Sequence, residues 1–559
     1  MITRHTFHLA MLLICGFLGI CCSATPVVKS EQNKTHREVK FKILQINDVY
    51  KIEGLEKGST GGIARVRTLR EQMEAEGQPV LVLLAGDFLF PSVMSKYLHA
   101  QPMVDMLNLL DGKPAGFDKR FIVAFGNHEF EHPDPGILLR RIMQSDFDWV
   151  SCNIRYCPDK GAPGVPFSHR FKNVHDALLL DIDGVCVGIF GLTNDSQPQD
   201  YIVYDYNVEK ERNARIRESL DYLRDKGARV IIALTHQDLE EDRQLANDFP
   251  GEIDIIAGGH DHYYIQQQVG RTWITKADAD ARSAIRYDVR IFQNDSLIEP
   301  PRKVDLDSTV ANDPDVGDAV NKWLGALSAT MKAQTGRDPN EIIGMTRYRL
   351  EGVETAVRKD ETALGNFLTD VVRARMRTDI AFINGGSIRI NDNIPAGAPI
   401  TVYDMEGIFY YDNKLVAFEL TGAELLGILN HSVQRVDSGD GRFLQVSGIR
   451  FKYHADSTTG MPPYRVNTED VEIMLQGESK YLPLELSRKY SAGSIDYLWK
   501  NGYRDGYTIF SQGNNGTSPK RIDAGQSISF RAVTEEAIAA LPDRTVTTDR
   551  EGRITAVRN

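Results

Sequence analysis

Residues 253–262 read IDIIAGGHDH, an apolar run rich in β-branched residues that stops at two glycines and delivers two histidines together. Its length and composition are those of a buried strand, and the glycines mark the turn that follows. Four other runs share this design: FKILQIND ends at Asp48, VLVLLAGD at Asp87, FIVAFGNH at Asn127 and VIIALTH at His236. Carboxylate, amide and imidazole groups therefore collect where strands pass into loops. In open α/β sheets that carboxyl edge is where ligands bind. A single Asp or His after a strand is ordinarily a turn or cap residue. Five such endings between Asp48 and His262 point instead to a shared role, and donors of this hardness suit a two-metal hydrolytic centre.

At 559 residues the chain is too long for one core, so two domains are expected. Its 42% hydrophobic and 25% charged content is ordinary for a globular protein. A formal net charge of -12 argues against a broad surface for a nucleic-acid polymer. Anions must then be bound by locally placed arginines and metal ions. Residues 1–24 read as an export signal, with Arg4 and His5 before LAMLLICGFLGICC and small residues at Cys22-Ser23-Ala24. Cleavage is expected after Ala24. A lipoprotein anchor at Cys21 or Cys22 is the lesser alternative, because Ile20 is bulky where a small residue belongs. The run is too short for a comfortable span and nothing else approaches the length, so no transmembrane segment is expected in a mature, periplasmic or secreted chain. The polar ending GRITAVRN offers no hydrophobic tail for anchor addition. Export makes a Cys152–Cys157 bridge across SCNIRYC as reasonable as free thiols there and at Cys186. Sequons include Asn33 and Asn515, meaningful only in a eukaryotic secretory pathway.

Residues 25–38 are polar and read as a flexible leader. Over 39–305, strand-like runs alternate with helix-like stretches such as GGIARVRTLREQMEAEG and VEKERNARIRESLDYLRDKG, each closed by glycine. That alternation predicts a layered α/β catalytic domain. Residues 306–340 form a linker around an amphipathic helix near 314–334, with Val316, Val320, Leu324, Leu327 and Met331 at helical spacing. A closing helix of the first domain is the other reading of that segment. Residues 341–559 make a second mixed domain, marked by ETALGNFLTDVVRARM, DIAFINGGSIR and RFLQVSGIRFKYH.

NDVY, GD, GNHE, TH and GGHDH, in that order, resemble the calcineurin-like metallophosphoesterase signature. GNFLTD, NGGSIR, FLQVSG and NGYRDGY in the second half resemble the substrate-binding domain of the 5′-nucleotidase family. That family also holds UDP-sugar hydrolases and 2′,3′-cyclic-nucleotide phosphodiesterases. The resemblance spans nearly the whole mature chain. It implies an α/β protein: a four-layer metallophosphoesterase-type β-sandwich flanked by helices, then a mixed α/β substrate-binding domain. It also implies a nucleotide substrate and two divalent ions (Zn, Mn, Co or Mg), needed because a phosphate monoester is an anion that repels hydroxide. Asp87 would bridge the ions, Asp48 and His262 would complete the first site, and Asn127, His236 and His260 the second. His128 would stabilise charge on the phosphoryl group, oriented by a carboxylate.

Two positions depart from the family pattern. Its Asp-x-His at the first strand is here Asp48-Val49-Tyr50, and a neutral phenol is a poor ligand. Tyr50 either ligates as phenolate, or leaves its place to water (the favoured reading), or leaves a weakly bound metal, unless it simply packs. Glu131 stands where the family's histidine-orienting residue is Asp, and the extra methylene moves the carboxylate by about 1.5 Å.

For the substrate, Arg389 closes NGGSIR and would contact phosphate through its planar fork, and Asn413 matches a family asparagine in the same pocket. The family stacks a base between two aromatic rings: Phe443 fits the first, and Tyr497, with Trp499 as alternative, the second. Asp505 would bind ribose hydroxyls. The implied activity is release of phosphate from nucleoside 5′-monophosphates. Cyclic-nucleotide phosphodiesterase or UDP-sugar hydrolase activity on the same scaffold is the alternative, and an impaired nucleotide-binding protein without turnover is a second.

Overall fold

The computed structural model describes residues 38–557, apart from 114, 160, 162, 197–198, 206–208, 293–295, 456–463 and 511–518. The expected signal at 1–24, the leader up to residue 37 and the sequons at Asn33 and Asn515 lie outside the described residues.

Two large sheets build most of the first part, beside a small one of Ile202–Tyr204, Ile154–Tyr156 and Val165–Pro166. One large sheet runs Ser296–Ile298, Ser283–Ile291, Val39–Ile46, Val80–Leu84, Asp118–Ala124, Phe147–Val150, Val174–His175 in spatial order, with Arg302–Asp305 also paired to Ser283–Ile291. The other runs Ile265–Val269, Thr272–Lys276, Ile255–Gly258, Val230–His236, Val185–Thr193, Ala177–Ile182. They pack face to face, with Phe41, Ile43, Leu81, Leu83 and Ile122 meeting Val187, Ile189, Ile232, Leu234 and Ile255 in one buried cluster. Residues one step along the same strands face outward, as the two-residue period of a strand requires. Leu44, Val82 and Leu84 lie in one cluster with Ile63, Val66 and Leu69 of the helix Ile63–Ala75. Ile231, Ala233 and Ile256 share another with Ile216, Leu220 and Leu245 from the helices Glu209–Asp225 and Leu239–Asp248. The result is helix, sheet, sheet, helix. Strands covered on both faces must be apolar throughout, which is why these runs read as continuous rather than alternating.

The expected amphipathic helix is Pro314–Thr335. The Asp313 side chain accepts from Val316 N at 2.9 Å, and Gly336 closes it at φ 74°. Val316, Val320, Leu327 and Met331 are buried against Ile63–Ala75, Val93–Leu98 and Gln101–Leu107. Beyond it, a six-stranded sheet runs Leu444–Ser447, Ile380–Asn384, Lys489–Ile495, Lys414–Thr421, Lys520–Arg521, with Ile528–Ser529 also on Lys414–Thr421. The helix Ala363–Met376 lies across it. Polar contacts tie this part to the first: Lys51 to Asp392 (3.3 Å), Lys57 to Asp404 (3.1 Å), and Asn391 Nδ2 to Asp280 Oδ2 (2.6 Å).

The cysteine bridge does not form: Cys152, Cys157 and Cys186 are free thiols. Between the first two lies the extended strand Ile154–Tyr156, spanning about 10 Å at roughly 3.3 Å per residue. A disulfide needs Cα atoms within about 7 Å.

Candidate metal centre

Strand register brings the donor-bearing ends level. Ile46 pairs with Leu84 and Leu84 with Val123 in one sheet, and Thr235 pairs with Gly258 in the other. The loops that follow turn on residues that themselves carry donors: Asp48 (φ 53°), Asp87 (57°), His260 (79°) and His262 (62°). Left-handed backbone at a non-glycine residue costs on the order of 1–3 kcal/mol and gathers at functional sites. Close approach is made possible by glycine. A Cβ at Gly126 would stand 2.1 Å from Asp87 Oδ1, and one at Gly259 2.3 Å from Ala85 O. Beneath the loops Glu129 is fully buried and accepts the N–H groups of Asp87 (2.8 Å), Phe88 (2.8 Å), Leu89 (3.0 Å) and Gly126 (2.5 Å).

The donors converge. Ligand atoms of Asp48, Asp87 and His236 lie within 4.8 Å of one another, all buried. His236 Nε2 is 3.1 Å from Asp87 Oδ2 and 3.1 Å from Asn127 Oδ1, and Asn127 Oδ1 is 3.2 Å from His260 Nδ1. His262 Nε2 stands 3.2 Å from Asp48 Oδ1. All six residues singled out as metal ligands therefore meet at one place. Between the two histidines Asp261 is anchored by the buried Lys276, which also pairs with Asp242 at 2.9 Å.

Charge at the centre is unbalanced in a way that suits cations. Burial works against both carboxylates, yet the histidines beside them hold Asp48 and Asp87 below the ordinary carboxylate range. Burial also opposes charge on the imidazoles. Asp87 nevertheless raises His236 to about 9, and Glu354 with Asp48 raises His262 to about 10. His260 goes the other way, to about 4, through burial and the neighbouring His236. Protons thus fill a role that a cation takes over when imidazoles become neutral ligands. Oxygen and imidazole donors without thiolate fit divalent ions.

Tyr50 does not pack away from the centre. Its hydroxyl lies 3.0 Å from Asp87 Oδ2, 3.0 Å from His262 Nε2 and 3.4 Å from Asp48 Oδ1. Burial, then Asp87 and Asp48, push it well above the usual phenol range. His128 Nδ1 meets Glu131 Oε2 at 2.8 Å, so the longer acid reaches its imidazole, and Tyr411 donates to the other Glu131 oxygen at 3.0 Å. Burial raises Glu131, but the His128 hydrogen bond and charge, with Arg389, bring it below its ordinary value.

A cavity of about 240 Å³ opens on this group, lined by Asp87, His128, His260 and His262 from the first part and by Arg358 and Arg389 from the second. A larger one, about 480 Å³, lies beside Cys152 and His175 and includes none of the expected ligands. Arg358 and Glu354 were not singled out in the sequence. Glu354, almost fully buried, stands 2.8 Å from Arg389 Nη1, 2.9 Å from Arg358 Nη2 and 2.6 Å from His262 Nδ1. Burial would raise it, but Arg358, Arg389 and His262 hold it well below the carboxylate range. The i, i+4 spacing of Glu354 and Arg358 was the one local signal for the pair.

The expected nucleoside contacts are less well assembled. Phe443 is fully buried, so stacking on a base would require its face to be uncovered. Tyr497 is half-buried, donates to Asp505 Oδ1 at 3.1 Å and packs with Trp499 against the same core. Asn413 opens the strand Lys414–Thr421 and is not among the cavity-lining residues. Tyr507, not singled out, donates to Arg442 O at 2.6 Å beside Phe443.

Residues 41–264 match the calcineurin-like phosphoesterase family, and residues 342–512 match the 5′-nucleotidase C-terminal domain. A snake venom 5′-nucleotidase from Gloydius brevicauda is 25% identical over 92% of this chain and 88% of its own length. A 5′-nucleotidase from Mus musculus is 25% identical over 84% of this chain and 83% of its own. In fold, the chain is similar to a 5′-nucleotidase precursor from Thermus thermophilus, with a TM-score of 0.71 at 24% identity over 93% of this chain and 100% of that one. Fold and centre define a hydrolase acting on phosphoric ester bonds. A part matching the calcineurin-like phosphoesterase family followed by a part matching the 5′-nucleotidase C-terminal domain is what the chain shares with proteins named 5′-nucleotidase. Among the described residues no helix is long and apolar enough to cross a membrane.

Proposed function

We propose that this protein is an exported phosphohydrolase that releases phosphate from nucleoside 5′-monophosphates with two divalent cations, drawn from zinc, manganese, cobalt and magnesium. Asp48, Asp87 and His262 would hold one ion, and Asp87, Asn127, His236 and His260 the other. When bound, such ions withdraw charge from phosphoryl oxygens and supply a nucleophile near neutral pH. The chain's own side chains do the rest. Arg358 and Arg389 of the second part would receive the phosphate, each guanidinium presenting paired donors to its oxygens. With Nδ1 of His128 engaged by Glu131 at 2.8 Å, Nε2 is left for the phosphoryl group, where it would donate a hydrogen bond as charge develops. Asp505, Asn413 and Tyr497 are the candidates for ribose and base.

In this reading 39–305 is the catalytic domain, 341–559 carries the substrate side, and 306–340 joins them. One observation carries it: Asp87, a member of the buried Asp48–Asp87–His236 cluster, lines the same cavity as Arg358 and Arg389. Hydrolysis of AMP, 2′,3′-cyclic AMP and UDP-glucose, each with Mn²⁺, Zn²⁺ or Co²⁺, tests it. AMP turnover that disappears in Asp87→Ala and on chelation is the expected result. Turnover confined to the cyclic nucleotide or the UDP-sugar would move the assignment to those esters. No hydrolysis under any ion would leave a nucleotide-binding protein and refute the proposal.

A further inference from the structure

Glu354 sits where the first and second parts meet in the lining of the cavity. It begins a four-residue helix, Glu354–Val357, and its two carboxylate oxygens are divided. Oε2 faces His262 Nδ1 at 2.6 Å, a bent contact with the distance of an ion pair but not the angle of a hydrogen bond. Oε1 faces Arg389 Nη1 at 2.8 Å and Arg358 Nη2 at 2.9 Å. Its backbone is fixed as well. Glu354 N donates to Asn391 Oδ1 at 3.1 Å, and Asn391 Nδ2 donates to Asp280 Oδ2 at 2.6 Å. Asp280 Oδ1 accepts the N–H groups of Tyr50 (2.8 Å) and Lys51 (3.1 Å), and Asp280 N donates to Asp48 O at 2.7 Å. A closed loop of contacts therefore runs from Asp48 through Asp280, Asn391 and Glu354 to His262, and back to Asp48 at 3.2 Å.

We propose that Glu354 is a positioning residue that couples cation binding at the Asp48–Asp87–His262 position to phosphate binding at Arg358 and Arg389. The inference rests on the proposed metal centre. A carboxylate on the far nitrogen of a ligating histidine fixes the ring and raises its basicity, and losing such a partner typically costs 10–100-fold in metal affinity. Glu354 does this for His262 while also occupying one amino group of each arginine. Both arginines line the cavity, so the guanidinium atoms that Glu354 does not hold can meet an incoming oxyanion. Glu354 thus helps the cation and competes with the phosphate. When phosphate draws the arginines away, the carboxylate is released toward His262. By linkage each ligand then tightens the other by the same factor.

Opposed effects give a test that loss of packing cannot imitate. Mn²⁺ and inorganic phosphate are titrated separately into the metal-free full chain and its variants by calorimetry, with His262→Ala identifying the first cation position. In Glu354→Gln, Mn²⁺ affinity at that position should fall about 10–100-fold, while phosphate binds the metal-free variant as tightly as the parent or more tightly. Glu354→Asp keeps the charge but shortens the reach by about 1.5 Å. It should lose cation affinity in the same direction, and it serves if the Gln variant does not fold. Cation affinity within about twofold of the parent in the variant, or phosphate weakened together with the cation, overturns the proposal. Mn²⁺ binding indifferent to Asp87→Ala would instead bring down the metal-centre reading. Binding that needs Asp87 but not Glu354 removes this inference alone.

Discussion

In the proposed reaction His128 and its partners would carry the chemistry closest to the phosphate. The backbone N–H of His128 donates to Asp87 Oδ1 at 2.8 Å, while its ring is held by Glu131. Main chain and side chain thus have separate duties, one steadying a carboxylate proposed to bind metal and the other facing the cavity. Replacing the ring should therefore leave metal binding intact. His128→Asn is expected to lower kcat about 10²–10⁴-fold, the usual weight of a positioned proton donor or acceptor, with cation content unchanged by elemental analysis. A parallel loss of bound metal would show that the ring supports the centre rather than the reaction. The same residue scale sets what sequence could reveal. The six donors were legible because each follows an apolar run, a pattern written within a dozen positions. Glu354 was not, since its partners His262 and Arg389 lie far along the chain and no local pattern marks a carboxylate that bridges them. The burial of Phe443 was not legible either, because a motif records neighbours in sequence, whereas complete burial is decided by the strands Leu444–Ser447 and Ile380–Asn384 that it adjoins.

At the scale of elements, the double histidine of GGHDH owes its placement to a strand and a helix. Lys276 ends the strand Thr272–Lys276 with its side chain fully buried. It pairs with Asp242 of the helix Leu239–Asp248 at 2.9 Å, with Asp261 at 2.5 Å, and donates to Gln237 O at 2.5 Å. Asp242 also accepts from Thr235 Oγ1 at 2.7 Å and Gln237 Nε2 at 2.9 Å, tying in the end of the His236 strand. One ammonium thus fastens the loops that carry His236, His260 and His262. Removing one partner of a buried ion pair leaves uncompensated charge and costs about 3–5 kcal/mol. Lys276→Met, similar in length, should destabilise the protein by about that much in urea unfolding and weaken cation binding as well. A change under about 1 kcal/mol would mean that water reaches the two carboxylates and the network is not closed. A layered α/β domain was readable from alternating runs and the helix Pro314–Thr335 from its apolar spacing, while the four-layer order came only through the family resemblance. This triad was not, because a lysine closing a strand looks in sequence like an ordinary exposed end.

Across the whole molecule, the first part and the second meet at a centre whose charge must be neutralised one way or another. In the metal-free protein, protons on His236 and His262 do it, and His262 lies against Glu354 of the second part at 2.6 Å. Both imidazoles are raised in the folded state, to about 9 and about 10, above the ordinary value near 6.5. A raised imidazole contributes stability that is complete below about pH 6.5 and is lost as pH climbs through its folded value. The chelated protein should therefore melt progressively lower from pH 7 to pH 10, with the steepest fall between about pH 7 and about 9, where both rings are protonated only in the folded state, and a levelling off above about pH 10. Bound cations would hold the same rings neutral as ligands throughout this range and would add their own binding free energy to the folded state. The difference in thermal midpoint between the loaded and the chelated protein should then widen by several degrees as pH rises, because cations alone can keep Asp48 and Asp87 compensated once the protons leave. Scanning calorimetry at four pH values, with and without chelator, measures that gap. A gap that stays constant or narrows over the window would mean that protons on these histidines do not hold the metal-free centre together.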